Sequence, residues 1–441
     1  MKLAILLESH QMMSFLEAKQ EMKEVEINLA IIDRLSDPVF RKEYLAYLAE
    51  QADLIFLIPS THGVWEEISM QLKIIGQHKP MLSTSHRPEF SIFTTVNEKF
   101  PAIVQAYLTI GGKENVKNAL YFLLKEILGA KVQVDAPQAV AWQGIYVSQK
   151  AIVLENLAAY LTNPTLYQEE RKTIGILFSR SMWLNHDTGI VDALIKEIHA
   201  SGYNALPVFS VDRHDPKNGR QDNISIIENY FMKNKQPLIE ALIDLQVLFL
   251  ISRNREGKIE EHPGYTLLQE LNVPIFKGVI INSQTEGEWR KNPFGIPTTS
   301  IVTSITMPEC SGVIEPIVIG ALKEATQADW DEIPSHVPIL ERIQFLCRRI
   351  KKWMALREKN NGEKKIVFIL HNSVCHGVEL TVGAANGLNA LESLVQLMKK
   401  MKLAGYQVDS IPDSGEKLIE LIMQRKAISD FRWTPVEEIV K

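Results

Sequence analysis

Three cysteines in 441 residues, Cys310, Cys347 and Cys375, are too few and too widely spaced for a disulfide scaffold, and their scarcity fits a reducing compartment. No apolar stretch approaches the roughly 20 residues that a membrane-spanning helix needs. The opening run Met1 to Leu7 turns polar at Glu8, too early for the apolar region of a secretory signal, so it reads as a first strand. Basic blocks are lacking too, and a formal net charge of −5 offers no electrostatic footprint for nucleic acid. Gly111-Gly112-Lys113 lacks both the spacing of a phosphate-binding loop and the Ser or Thr after the lysine, so no nucleoside triphosphate site is indicated. There is no fixed-period repeat and no low-complexity segment. What remains is the expectation of a soluble, cytoplasmic, folded chain.

A hydrophobic fraction of 46% is ordinary for a chain that buries real cores, and the length is that of about three domains. Residues 1–130 alternate strand patterns (Leu3 to Leu7, Glu26 to Ile32, Asp53 to Ile58) with helical ones (Arg41 to Gln51, Trp65 to Ile75), which predicts a parallel sheet covered by helices. A helical stretch from Ala102 to Leu128 trails it, and 131–171 reads as a connector. A second α/β module, 172–330, opens with a strand at Ile174 to Phe178. Its first helix starts near Thr188, with Asp187 as the expected cap, and its apolar positions Ile190, Val191, Leu194, Ile195 and Ile198 keep helical spacing. Strands are expected at Ala205 to Phe209, Leu245 to Ile251 and Pro274 to Val279. A helical connector, 331–363, includes a long basic pattern from Pro334 to Lys359. The start of a third α/β module, 364–441, opens with Ile366 to Leu370 read as a buried strand, and Asn389 with Glu392 forms a capping pair for its helix. The fold class is therefore α/β, with successive Rossmann-like or flavodoxin-like modules.

In open α/β sheets ligands bind beyond the carboxyl ends of the strands, which singles out two places. One is the loop from His371 to Gly387, which carries His371, Asn372, Cys375, His376 and Glu379 together with Gly377, Gly383 and Gly387. The other follows Phe178 and carries Arg180, Trp183 and His186. Arg253 is a weaker candidate of the same kind. His10, His62 and His86 stand near expected strand ends, too far apart in sequence to define a site.

Several segments resemble, in the same order, the large subunit of cobaltochelatase (CobN) and its relative, the H subunit of magnesium chelatase. They are Tyr107 to Leu123, Gly144 to Ser148, Thr173 to Ser210, Ser311 to Gly320, the loop after Leu370, and the closing RKAISDFRWTPVEEIV from Arg425 to Val440. Val147 and Ser148 stand where the family usually has a His-Pro pair, and Val374 where it has a proline before the cysteine. The resemblance implies a tetrapyrrole- and metal-binding subunit of an ATP-dependent, multi-subunit ligase. Cobalt insertion into a corrinoid precursor in cobalamin biosynthesis is the first expectation. A magnesium-protoporphyrin chelatase subunit, a non-catalytic tetrapyrrole carrier and a dechelatase remain open. Hydrolysis of Mg-ATP would belong to separate AAA+ ATPase partners, and a C-terminal body would complete the subunit. The two-turn helix pattern after Thr434-Pro435 agrees with a chain that is the first portion of a longer one, inactive in isolation.

Metal insertion needs donors that hold a divalent ion briefly and groups that accept the two pyrrole protons, tasks suited to imidazole, thiolate and carboxylate. This assigns Cys375, His376 and Glu379 as metal ligands, with His376 and Glu379 also catalytic. His371, Asn372, Arg180, Trp183, His186, Arg432 and Trp433 are assigned to the tetrapyrrole, through carboxylate pairing by arginine and ring stacking by tryptophan. Lys399, Lys400 and Lys402 read as partners of a helix dipole, and Glu315 as either a family site residue or a structural acceptor.

Overall fold

The computed structural model describes residues 1–8, 12–59, 63–85, 87–148, 153–211, 215, 218–246, 263–324, 335–371, 382–385 and 387–424. The chain divides into two units, Met1–Ile350 and Lys351–Lys441.

The first unit opens with four parallel strands, β1 (Lys2–Leu7), β2 (Glu26–Ile31), β3 (Leu54–Leu57) and β4 (Met81–Ser83), in the order β2-β1-β3-β4. Side chains alternate across a strand, so an apolar run such as KLAILL is stable only where both faces are covered. Leu3, Ile5 and Leu7 pack with Phe15 of α1 (Met12–Glu21) and with Leu120 and Leu123, while Ala4 and Leu6 share the other core with Tyr44 and Leu48 of α2 (Pro38–Glu50). Asp37 caps α2 by accepting from the Val39 N–H, and Pro38 occupies its first turn. The stretch read as one helix, Ala102 to Leu128, is two: α3 (Phe100–Ile110) and α4 (Lys113–Leu128). Gly111 and Gly112 break it with φ of 73° and 83°, a region closed to most side chains.

The second sheet holds β5 (Gly144–Tyr146), β6 (Val153–Leu154), β7 (Thr173–Ser179), β8 (Asn204–Ser210), β9 (Ala241–Asp244), β10 (Ile275–Thr285), β11 (Val313–Leu322) and β12 (His336–Pro338). Their order is β12-β11-β10-β9-β7-β8-β5-β6. The five central strands are parallel and β12, β5 and β6 pair antiparallel at the two edges. Counted within the module, the parallel strands run 2-1-3-4-5, the flavodoxin-like winding, with its switch point between β7 and β9. Two helices, α5 (Arg180–Leu184) and α6 (Gly189–Ala200), carry the chain from β7 to β8. Three expectations are corrected here. The supposed connector 131–171 supplies β5 and β6. The long basic helix expected from Pro334 is α7 (Leu340–Glu358), which begins later because His336–Pro338 pairs with the open edge of β11, where a proline is tolerated. The strand expected at Leu245 to Ile251 lies earlier, at Ala241–Asp244, with residues from 247 outside the described set.

In the second unit, α8 (Ala390–Leu403) is capped as expected, Asn389 Oδ1 accepting from the Glu392 N–H at 3.1 Å. The Glu392 carboxylate in turn accepts from the N–H of Gly415, the first residue of α9 (Gly415–Met423), at 2.8 Å. Gly405 follows α8 with φ of 87°. The buried strand expected at Ile366 to Leu370 is not formed. The segment has no regular structure, and Val367 and Ile369 are 82% and 91% exposed. An apolar run becomes a strand only when a neighbour takes up its backbone groups, and no described strand pairs with this one.

Candidate functional site

The crevice beyond the carboxyl ends of β7 and β9, walled by the length of β10 from Lys277 to Asn282, is a cavity of about 580 Å³, where the 2-1-3-4-5 winding places a ligand. Its floor is ionic. Asp244, the last residue of β9, and Lys277, on β10, form a salt bridge of 2.8 Å with side-chain exposures of 0% and 4%. The Lys277 ammonium also donates to the Gln246 carbonyl, and the Asp244 carboxylate accepts the Gln246 N–H at 3.0 Å. Burial pushes the Asp244 carboxyl upward, against the pull of the Lys277 charge. Beside it, Ser210, Asn223 and Gln246 close a ring of buried hydrogen bonds of 2.6 to 2.9 Å. These contacts leave the strand ends polar yet satisfied.

One wall is made by the turn after β7. Helix α5 is followed by His186 at φ of 54°. The Asp187 N–H donates to the Met182 carbonyl at 2.8 Å and the His186 N–H to the Trp183 carbonyl at 3.2 Å, the bonding of a Schellman turn with histidine where glycine is usual. That turn aims Asp187 away from α6, whose cap position is Thr188 without a side-chain cap bond. The expected capping role of Asp187 is therefore corrected. Its carboxylate accepts the His336 N–H at 2.9 Å and meets His336 Nδ1 at 2.5 Å. His336 Nε2 is buried, with no hydrogen-bond partner among the described residues. Asp187 and His336 both line the cavity, and Met13 and Leu16 of α1 supply apolar surface to it.

Of the residues assigned from sequence, His186 lines the cavity and meets Glu17 at 3.0 Å. Arg180 is spent elsewhere. It is buried, donating to the carbonyls of Ala141 and Ile110 at 2.7 Å each, and its guanidinium lies 4.2 Å from the Trp142 ring centroid. Burial first, and Arg220 nearby second, lower its pKa to about 10. Trp183 stacks on Phe209 at 4.5 Å and 12°. Neither is part of the cavity wall. Glu315, at φ of 47°, forms a two-point pair with Arg349 at 2.5 and 2.8 Å, the geometry of a structural acceptor. The exposed His371 accepts the Gly383 N–H on its backbone carbonyl at 2.7 Å, which closes the base of its loop. Asn372, Cys375, His376, Glu379, Arg432 and Trp433 lie outside the described residues, as do Arg253, His10, His62 and His86. Among the described residues no three His, Cys, Asp or Glu side chains converge as a metal site.

Sequence reasoning missed His336, Asp244, Gln246 and Lys277. A signal existed for one of them, since a lysine inside the apolar run IFKGVII must find a buried partner if the run is a strand. No comparable signal links Asp187 to His336, 149 positions apart.

A family model described as CobN/Magnesium Chelatase matches residues 105–441. An uncharacterized protein of Methanocaldococcus jannaschii is 33% identical over 393 residues, covering 89% of this chain and 30% of that protein. The magnesium-chelatase H subunit of Rhodobacter capsulatus is 25% identical over 437 residues, covering 91% of this chain and 34% of the relative. In fold, the chain is similar to the catalytic subunit of cobaltochelatase from Mycobacterium tuberculosis, with a TM-score of 0.53 and 19% identity, over 96% of this chain and 33% of the other. The chain thus spans about a third of the length of these proteins. No described helix is long and apolar enough to cross a membrane.

Proposed function

The chain belongs to the CobN/magnesium chelatase family, and from that premise we propose that it is the tetrapyrrole-receiving portion of an ATP-dependent metal chelatase, with its cleft at the β7/β9 switch point as the macrocycle's entry site. The observation that carries this reading is the cleft itself. It offers about 580 Å³ between the apolar α1 side chains Met13 and Leu16 and a polar wall that ends in one desolvated imidazole. A flat, largely apolar ligand with inner N–H groups suits that division of surfaces. Cobalt into a corrinoid precursor is the proposed reaction, and magnesium into protoporphyrin the second reading. The second reading rests on the similarity to a magnesium-chelatase H subunit over 91% of the chain.

In this reading Cys375, His376 and Glu379 of the His371–Gly387 loop are ligands of the divalent metal substrate, and Arg432 and Trp433 are tetrapyrrole-binding residues. AAA+ partner subunits supply ATP hydrolysis in the cytoplasm, and the rest of a longer subunit closes over the site. The purified chain should bind a metal-free porphyrin or corrinoid saturably, as followed by quenching of ligand or tryptophan fluorescence. It should neither hydrolyse ATP nor complete metal insertion unless partners are added. Absence of saturable binding to both macrocycles would remove the reading. Preference for one macrocycle, tested with Co²⁺ and Mg²⁺ in turn, decides between the two reactions.

A further inference from the structure

We propose that His336 is the proton acceptor of the cleft, taking protons from the inner N–H groups of the bound macrocycle through Nε2, with Asp187 as its positioning residue. The inference rests on the tetrapyrrole reading and adds to it a residue and a role. Four observations meet at this side chain. First, the Asp187 carboxylate grips His336 at two points, the backbone N–H at 2.9 Å and Nδ1 at 2.5 Å, so the ring cannot turn without breaking the contact. Second, a carboxylate at Nδ1 requires a proton on Nδ1, which leaves Nε2 as the lone-pair nitrogen of the neutral ring. Third, Nε2 is buried and has no partner among the described residues, at a position where such a nitrogen ordinarily finds one. Fourth, His336 and Asp187 both line the 580 Å³ cleft; Nε2 itself is covered in this structure, so reaching it takes a side-chain shift of the cleft wall as the macrocycle enters. Leaving a buried acceptor unpaired is unfavourable, and an incoming N–H donor removes that cost.

The local fold is built to hold this pair. His186 adopts φ of 54°, a conformation that non-glycine residues rarely take, and in doing so directs Asp187 to His336 rather than to the start of α6. On the other side, β12 is pinned to β11 with His336 opposite Leu322. A metal-holding role suits the pair less well, since no third His, Cys, Asp or Glu joins it among the described residues.

The proposed step is a proton transfer that balances. The Nε2 lone pair takes a proton from a pyrrole nitrogen, the N–H bonding pair stays on that nitrogen, and the resulting imidazolium faces the Asp187 carboxylate. His336 then releases the proton to water and is neutral again for the second N–H, so two cycles remove the two protons that a divalent metal replaces.

The test is histidine ¹⁵N NMR on the full chain, with the His336 signals assigned by their loss in His336→Gln and metal-free porphyrin as the probe. Porphyrin binding is read independently by fluorescence quenching. The expected result is a neutral His336 ring with hydrogen on Nδ1 only, an Nε2 resonance that moves toward the protonated position when porphyrin is added, and loss of the Nδ1–H preference in Asp187→Asn. Porphyrin binding with an unmoved Nε2 resonance, or a His336 ring that carries hydrogen on Nε2 before ligand is added, would overturn the proposal alone. Absence of porphyrin binding would overturn it together with the tetrapyrrole reading.

Discussion

The two parallel sheets of the first unit are wound alike, 2-1-3-4 in one and 2-1-3-4-5 in the other, yet their strand ends differ in kind. The first sheet's strands finish in Leu7, Ile31, Leu57 and Ser83. In the second, β7, β8 and β9 finish in Ser179, Ser210 and Asp244, and Lys277 stands on β10 opposite Asp244. Winding order creates a crevice in either sheet, so topology alone does not make a site. What distinguishes the second sheet is that its crevice is floored by ionic and amide groups that satisfy one another, which lets polar chemistry sit at the edge of an apolar core without unpaired charge.

The most direct way to break this contrast is to remove one charge from the floor. Lys277→Ala leaves Asp244 buried without its partner and should destabilise the chain by about 3–5 kcal/mol in urea-induced unfolding. Replacing both, Asp244→Leu with Lys277→Met, should cost less than Lys277→Ala alone. An additive loss would mean that the two charges are not coupled. Next in size, Arg180→Lys removes the guanidinium contacts to the carbonyls of Ala141 and Ile110, with an expected loss of about 2 kcal/mol by thermal or urea unfolding. Porphyrin affinity should stay within about twofold, because Arg180 is not in the cavity wall. His186→Gly should have the opposite sign. It relieves the positive φ and stabilises by up to about 1 kcal/mol, less a few tenths for the exposed pair with Glu17.

The smallest effect lies on the first module's surface. Lys113 and Lys117 hold the Glu21 carboxyl down to about 2 from an ordinary 4.5. A carboxylate depressed on folding contributes stability that is fully present above its unfolded value, so this contribution fades as pH falls from about 4.5 toward 2. The group is exposed, so the effect is screened by salt. Glu21→Gln should therefore melt slightly lower than the unaltered chain at pH 7 and coincide with it near pH 2. A difference that persisted in acid would contradict this origin.

Much of the architecture was legible because helices and strands in the first unit carry their periods openly. Ile174 to Phe178 and the stripe Ile190, Val191, Leu194, Ile195 and Ile198 are buried where the pattern puts them. Edge strands were not legible, since Gly144–Tyr146, Val153–Leu154 and His336–Pro338 are two or three residues long and owe their form to an available neighbour. The same dependence on a neighbour misled in the opposite direction at Ile366 to Leu370, which has a strand's composition and no described partner. Asp187 illustrates a third limit. A local rule made it a helix cap, but the Schellman turn at His186 and a contact 149 residues away decided its role. A cavity after Phe178 lies where the strand-end rule points. The residues that line it were not legible, because they are gathered from several strands and helices far apart in sequence.

The central claim, that the β7/β9 cleft receives the macrocycle, is tested most directly by filling it. Asn282 lies on the cavity lining, exposed on β10, where a larger side chain need not disturb the core. The measurement is a fluorescence titration of the full chain and of Asn282→Trp with metal-free porphyrin, with thermal unfolding as a control. The predicted result is at least a tenfold loss of affinity in Asn282→Trp at unchanged melting temperature. Equal affinity in the two proteins, with the substituted chain folded, would contradict it.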